Sequence, residues 1–186
     1  MLQLITYPDD LGVIYAPDVR KFDEAFFSFI DELKELALKN NLKGLSGPQV
    51  GSYYSVVVVQ QDDGSFLELI NPKILKQEGK IESVEYTSYF PNVPATMTRY
   101  EKITVIYEDR EKNSHSLEAD GELSILLQRK IDYIFGAHFL IKLTGEKKEE
   151  FEKLLQEKNN EYFKNKSSSS NHFISSLFSM MKKNKK

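Results

Sequence analysis

The chain has 186 residues, no cysteine and three histidines, His115, His138 and His172. Lack of cysteine excludes a disulfide framework, a thiolate nucleophile and sulfur-ligated zinc, and the histidines lie too far apart for a local His-x-x-x-His metal pair. The net charge of −3 divides unevenly: 15 basic residues face 22 acidic ones up to position 145, while 10 lysines face 6 acids from Glu146 on, so the body suits nucleic-acid phosphates poorly and no nucleic-acid partner is expected.

The opening stretch MLQLITYPDD carries neither a basic n-region nor an apolar h-region, and no apolar run approaches the about 20 residues of a membrane span. A cytoplasmic location is expected. Pro8 and Pro17 make residues 1–20 an extended arm with turns. From Phe22 to Asn40 the apolar residues Phe22, Ala25, Phe26, Phe29, Ile30, Leu33, Leu36 and Ala37 recur with helical spacing. Asp18 or Asp23 caps the start of this amphipathic helix, and Asn40-Asn41 ends it. Gly44 to Gly51, GLSGPQVG, reads as a loop that is neither helix nor regular strand.

Ser55 to Gln60 is a β-branched run and a buried strand, followed by a turn at Gln61-Asp62-Asp63-Gly64 and a return strand from Phe66 to Ile70. Asn71-Pro72 is expected to break that strand. Ile74 to Glu85 reads as another strand with a turn at Glu78-Gly79-Lys80, and Tyr86 to Tyr100, holding Pro91 and Pro94, as irregular. Lys102 to Glu108 alternates as a strand and Ser116 to Asp120 as a short one. Leu123 to Phe135 is apolar on much of its circumference, a buried central helix stopped by Gly136.

Glu146 to Lys164 reads as a charged helix, Ser167 to Ser170 as a linker, and Phe173, Leu177, Phe178 and Met181 as one face of a short basic amphipathic helix. The expected organisation is a domain over 1–145, a C-terminal helix over 146–166 and a linker with a basic tail over 167–186. The tail is solvated, folds back on its own domain or a second copy, or meets a protein partner or an anionic membrane surface. Strands grouped rather than alternating with helices predict an α+β fold with mostly antiparallel sheet.

The order and wording of six segments resemble the peptide deformylase family, whose members remove the formyl group from N-terminal formyl-methionine. These are ITYPDD with APDV and FD, GLSGPQVG, LINPKI (Leu69 to Ile74), EYTSYFPNV (Glu85 to Val93), Arg99 with its following strand, and QRKIDYIFG (Gln128 to Gly136). The resemblance runs from Leu4 to about Leu143. It implies a deformylase-like α+β fold around one buried helix, with a peptide or nascent-chain N-terminus as partner.

The same placement implies a degenerate site. The family's metal-binding cysteine falls at Thr87, its two histidines at Arg129 and Tyr133, and its acid/base glutamate at Lys130. A hydroxyl and a phenol are poor ligands for a borderline metal and a guanidinium cannot ligate, so no metal and no other cofactor is expected. Without a metal, water keeps its high pKa. Gln49 matches the glutamine that hydrogen-bonds the tetrahedral intermediate, Ser88 the position of an assisting backbone N–H, and Gly44, Leu45 and Ile131 positions that shape the substrate cleft. Glu85 and Arg99 match an ion pair that positions the second motif.

Several readings of these residues stand side by side. Gln49 holds a ligand or satisfies loop backbone; Arg129 and Lys130 face solvent or pair with Glu85, Asp120 or Asp132; Thr87 or Ser88 forms a nucleophile–base dyad with Lys130. His138 reads as a packed histidine. The functional expectation is a catalytically inactive, peptide-binding or scaffold member of the family. The alternative is a hydrolase with weak or altered deformylase activity.

Overall fold

The computed structural model describes residues 1–11 and 15–160. The linker and amphipathic tail expected beyond 166 lie outside the described residues. One five-stranded antiparallel sheet runs in the order β1 (Gly44–Ser46), β2 (Val56–Gln60), β3 (Phe66–Thr87), β4 (Phe90–Glu108), β5 (Ser114–Asp120). Helices α1 (Glu24–Lys39), α2 (Gly121–Ile134) and the short α3 (Phe139–Lys142) complete the described elements, with helix again over 145–160. This is the expected α+β architecture with an antiparallel sheet and a helical C-terminal region.

Helix α1 begins where Asp23 caps it, its carboxylate accepting from the Phe26 amide at 3.0 Å. Asp18, the other candidate, instead pairs with Lys73. Asn41 takes the left-handed conformation at the far end, φ 53°. The buried stripe Phe26, Ile30, Leu33 and Ala37 packs with Leu45, Val56, Val58 and Ile70. Helix α2 turns Leu127, Ile131 and Ile134 onto Val57, Val59, Leu69, Ile103 and Val105. Its Gln128 side chain pairs with β4 like a strand, accepting from the Tyr100 amide at 3.0 Å and donating to the Tyr100 carbonyl at 2.8 Å.

Four expectations about local structure are corrected. GLSGPQVG holds regular structure: β1, then a 3-10 turn over Gly47–Val50. A Cβ on Gly47 would lie 2.3 Å from the Tyr54 carbonyl oxygen, so glycine is what permits this close chain crossing. Asn71-Pro72 does not break its strand. Both residues bulge from β3 between the pairs Ile70–Glu108 and Lys73–Ile106. Asn71, at φ 54°, ties the bulge to the arm by accepting from the Val19 amide at 2.7 Å.

Nor is Tyr86 to Tyr100 irregular, and no chain reversal occurs at Glu78-Gly79-Lys80, where the ladder runs on from Glu78–Lys102 to Lys80–Tyr100. β3 and β4 form one long hairpin whose tip is Ser88-Tyr89. Between the pairs Glu85–Ala95 and Thr87–Phe90, Pro91 to Pro94 bulge opposite the single Tyr86. The prolines occupy positions that ask no ladder N–H of them. This tip packs Tyr89, Phe90 and Val93 against Tyr133, Phe139, Phe151 and Leu155. Phe151 and Leu155 thus seat the 145–160 helix on the body, which the expected boundary at 145 set apart.

Candidate active site

Three pieces of chain meet at the hairpin tip: the 3-10 turn after β1, the β3–β4 tip and one face of α2. The turn carries Gln49, fully buried. Its Oε1 accepts from the Ser46 amide at 3.3 Å, the Ser46 hydroxyl at 3.2 Å and the Lys130 ammonium at 3.1 Å. Its Nε2 donates to the Ser88 hydroxyl at 2.9 Å. Ser46 was not singled out as a site residue, yet Ser46-Gly-Pro-Gln49 is a capping-box pattern, a signal legible in the sequence.

Beside this chain, Thr87 Oγ1 and Tyr133 Oη share a hydrogen bond of 2.6 Å, and the Tyr89 amide donates to Thr87 Oγ1 at 3.3 Å. Burial holds the Tyr133 phenol well above its ordinary pKa, outweighing the Thr87 hydrogen bond and the Arg129 charge. It is a neutral phenol at physiological pH.

The third component is ionic. Arg99 grips Glu85 with two bonds, Nε to Oε1 at 2.5 Å and Nη2 to Oε2 at 2.9 Å, and reaches Asp132 Oδ2 at 2.6 Å. Lys142 takes the other Asp132 oxygen at 2.7 Å. Burial pulls the Arg99 pKa down, but its hydrogen bonds to Glu85 and the charge of Asp132 more than reverse this. Arg129 meets Glu85 Oε2 at 3.6 Å, and its Nε is buried with no hydrogen-bond partner among the described residues. Burial lowers its pKa, with Glu85 opposing and Arg99 adding to the effect. Lys130 is 4% exposed. Burial first, then the Arg129 charge, lower its pKa to about 7 against the pull of Glu85.

The structure therefore brings together Gln49, Thr87, Ser88, Arg129, Lys130 and Tyr133. It also answers which pairs form. Arg129 and Lys130 turn inward rather than to solvent, because this face of α2 packs beneath the tip. Arg129 pairs with Glu85 and not with Asp120; Asp132 serves Arg99. Thr87 pairs with Tyr133 and Lys130 with Gln49, so the side chains do not form the Thr/Ser–Lys dyad. Leu45 and Ile131 are closed into two separate hydrophobic clusters rather than lining an open cleft. Gly44 lies in β1, where a Cβ would approach the Val58 carbonyl oxygen to 3.0 Å. His138 is half-buried against Tyr89 and Phe90, a packed ring with its Nδ1 buried and lacking a hydrogen-bond partner among the described residues.

Whether these residues fit the metal that the resemblance implies is a question of donor chemistry. The convergent groups are a threonine hydroxyl, a neutral phenol, a guanidinium and an amine already donating to an amide. Thr87 and Tyr133 spend their oxygens on each other. Among the described residues no three His, Asp or Glu side chains converge as a metal would require. The set does not fit an iron- or zinc-type ion.

The chain is similar to known proteins. The polypeptide deformylase family profile matches residues 1–149. Peptide deformylase of Wolinella succinogenes is 34% identical over 165 residues, covering 85% of this chain and 97% of its own. That of Helicobacter hepaticus is 31% identical over 163 residues, covering 83% and 90%. Among solved structures, a peptide deformylase from Legionella pneumophila superposes with a TM-score of 0.76 at 26% identity, over 86% of this chain and 96% of that one. The Synechococcus elongatus enzyme in complex with actinonin gives 0.77 at 26% identity, over 85% and 88%. Profile, sequence relatives and fold agree, and the chain belongs to the polypeptide deformylase family.

Proposed function

We propose that this chain receives the N-terminal end of a formyl-methionyl or methionyl peptide beside β1 and Ser88, and that it performs no hydrolysis through a metal-bound water. The observation that carries this reading is the Thr87–Tyr133 hydrogen bond of 2.6 Å. It joins two of the three positions where the resemblance puts metal ligands, and the third, Arg129, carries a charge of the wrong sign. Lys130, at the position of the family's acid/base glutamate, is committed to Gln49. The cytoplasm, where nascent chains emerge, is the proposed location; no described helix is long and apolar enough to cross a membrane.

The relatives' shared name, peptide deformylase, favours the alternative, weak or altered hydrolysis, over complete loss of activity. One feature of the site supports the same alternative. An amine with a pKa of about 7 is partly neutral at physiological pH and therefore a base of useful strength. We therefore infer a peptide-binding member of the family whose residual hydrolysis is slow and metal-independent.

The test pairs calorimetric binding of N-formyl-methionyl-alanyl-serine with an assay of formate release, with and without 1,10-phenanthroline. Saturable binding is expected, with release close to the buffer rate and indifferent to the chelator. Release matching the Wolinella succinogenes protein assayed in parallel, and abolished by chelator, would overturn the reading. Absence of binding would remove its first half.

A further inference from the structure

Gln49 Oε1 is faced by three donors: the Ser46 amide, the Ser46 hydroxyl and Lys130 Nζ. The backbone N–H has no lone pair to turn toward an amide NH2, and the protonated lysine has none either. A flipped Gln49 would set its NH2 against both. The amide orientation is thus fixed, and Nε2 points to Ser88 Oγ at 2.9 Å. Ser88 accepts that hydrogen bond, and among the described residues no other hydrogen bond engages its hydroxyl. Its own proton is therefore turned away from Gln49. Ser88 is half-buried, whereas Gln49 and Lys130 are closed off. The more exposed end of this series is a hydroxyl with its acceptor side occupied.

We propose that Lys130 is a positioning residue: acting through Gln49, it makes Ser88 a hydrogen-bond donor that selects a ligand carbonyl oxygen, such as the formyl or first peptide carbonyl of an acylated N-terminus. Each link is polarised by the one before it, and the cationic first donor strengthens the series. The inference assigns Lys130 a use other than proton transfer. It rests on the peptide-binding reading for the identity of the ligand, but not for the orientation of Gln49.

Two readouts separate these levels. In the free protein, the Gln49 side-chain amide is assigned in nitrogen-15 spectra by its loss in Gln49→Leu. Lys130→Met is expected to shift that signal and speed its exchange with solvent, while the melting temperature stays level or rises, since a buried cation is exchanged for an apolar side chain of similar length. Lys130→Arg, which keeps a donor, is expected to restore most of the signal. In the second readout, affinity for N-formyl-methionyl-alanyl-serine falls about tenfold in Ser88→Ala and in Lys130→Met, and falls no further in the double variant. An unmoved Gln49 signal in Lys130→Met, or losses that simply add, overturns the proposal. A lowered melting temperature with an unmoved Gln49 signal makes Lys130 a structural residue and also overturns it. If wild type binds no peptide, the proposed function fails, and the Gln49 signal still decides the positioning role.

Discussion

Arg99 and Lys130 are both buried cations under the same hairpin tip, and their surroundings differ. Arg99 has two carboxylates, Glu85 and Asp132, at hydrogen-bonding distance, and its pKa rises. Lys130 has a neutral amide as its hydrogen-bond acceptor, and its pKa falls to about 7. Desolvation acts on both; two hydrogen-bonded carboxylates outweigh it at Arg99, whereas at Lys130 the Arg129 charge adds to it. The Arg99 region reads as architecture, because paired buried ions lock the base of the tip to α2. The Lys130 region reads as a device, because an ammonium without a carboxylate is costly to keep and polarises whatever it touches.

The largest expected effect strikes the paired region. Glu85→Ala strands Arg99 with one carboxylate and leaves Arg129 with none nearby. Loss of one partner from a buried pair costs about 3–5 kcal/mol. Urea denaturation should show at least that much destabilisation, with Asp132→Asn costing less because its carboxylate is the more exposed. Equal and small losses from both would break the distinction between the two regions.

The next effect belongs to Lys130 and is one of pH. The group is protonated in the unfolded chain up to its ordinary value of 10.5, but in the folded chain only up to about 7. Between these values the unfolded state binds more protons, so wild-type stability rises with pH across that window, by up to about 1.4 kcal/mol per pH unit. Below pH 7 the contribution is flat. Lys130→Met removes this dependence, so the variant should exceed wild type most at pH 6 to 7 and converge with it toward pH 10. Denaturation series at these pH values check it; a gap that stays constant with pH would show that Lys130 remains charged in the fold and that the contrast with Arg99 is false.

Much of the fold was legible because its signals are local. The 3.6-residue stripe of α1 and the apolar circumference of α2 declare themselves in the sequence, as does the β-branched run of β2. What was not legible depends on remote chain. Asn71-Pro72 and Pro91 to Pro94 look like breaks until β4 and β3 supply partners that let them bulge. Gly44–Ser46 is a strand only because β2 lies beside it. The site divides in the same way. Motif order placed its residues together, yet no local pattern foretold that Thr87 would choose Tyr133, 46 positions on, or that Gln49 would hold Lys130, 81 positions on.

A smaller effect tests the Thr87–Tyr133 pair itself. Tyr133→Phe keeps the ring among Phe90, Phe139 and Phe151 and removes one hydroxyl. Thr87 Oγ1 retains the Tyr89 amide as a donor at 3.3 Å, so the loss should stay near the net worth of one hydrogen bond, about 1 kcal/mol. Thermal or urea unfolding measures it. A loss above about 3 kcal/mol would mean that the hydroxyl anchors more than Thr87.

The last prediction is for no effect, and it bears on both regions together. Anything that binds the folded chain and not the unfolded one raises the melting temperature in proportion to the logarithm of its concentration over Kd. A metal held at this site would do so. Here Thr87 and Tyr133 are bonded to each other, Lys130 is bonded to Gln49, and Arg129 faces Glu85. A dication entering must separate the first pair and sit beside two groups that carry or attract protons. We expect Zn2+, Ni2+ or Fe2+ at tenfold molar excess, and EDTA equally, to leave the melting temperature unchanged. The control is the quadruple variant Thr87→Cys, Arg129→His, Lys130→Glu, Tyr133→His, which keeps the Arg99–Glu85–Asp132 network and replaces the rest. A metal-dependent rise in that variant alone would show that the ionic network still holds the tip in a ligating geometry. A rise in the wild-type chain would show that Thr87 and Tyr133 part readily, and would return metal-assisted hydrolysis to this site.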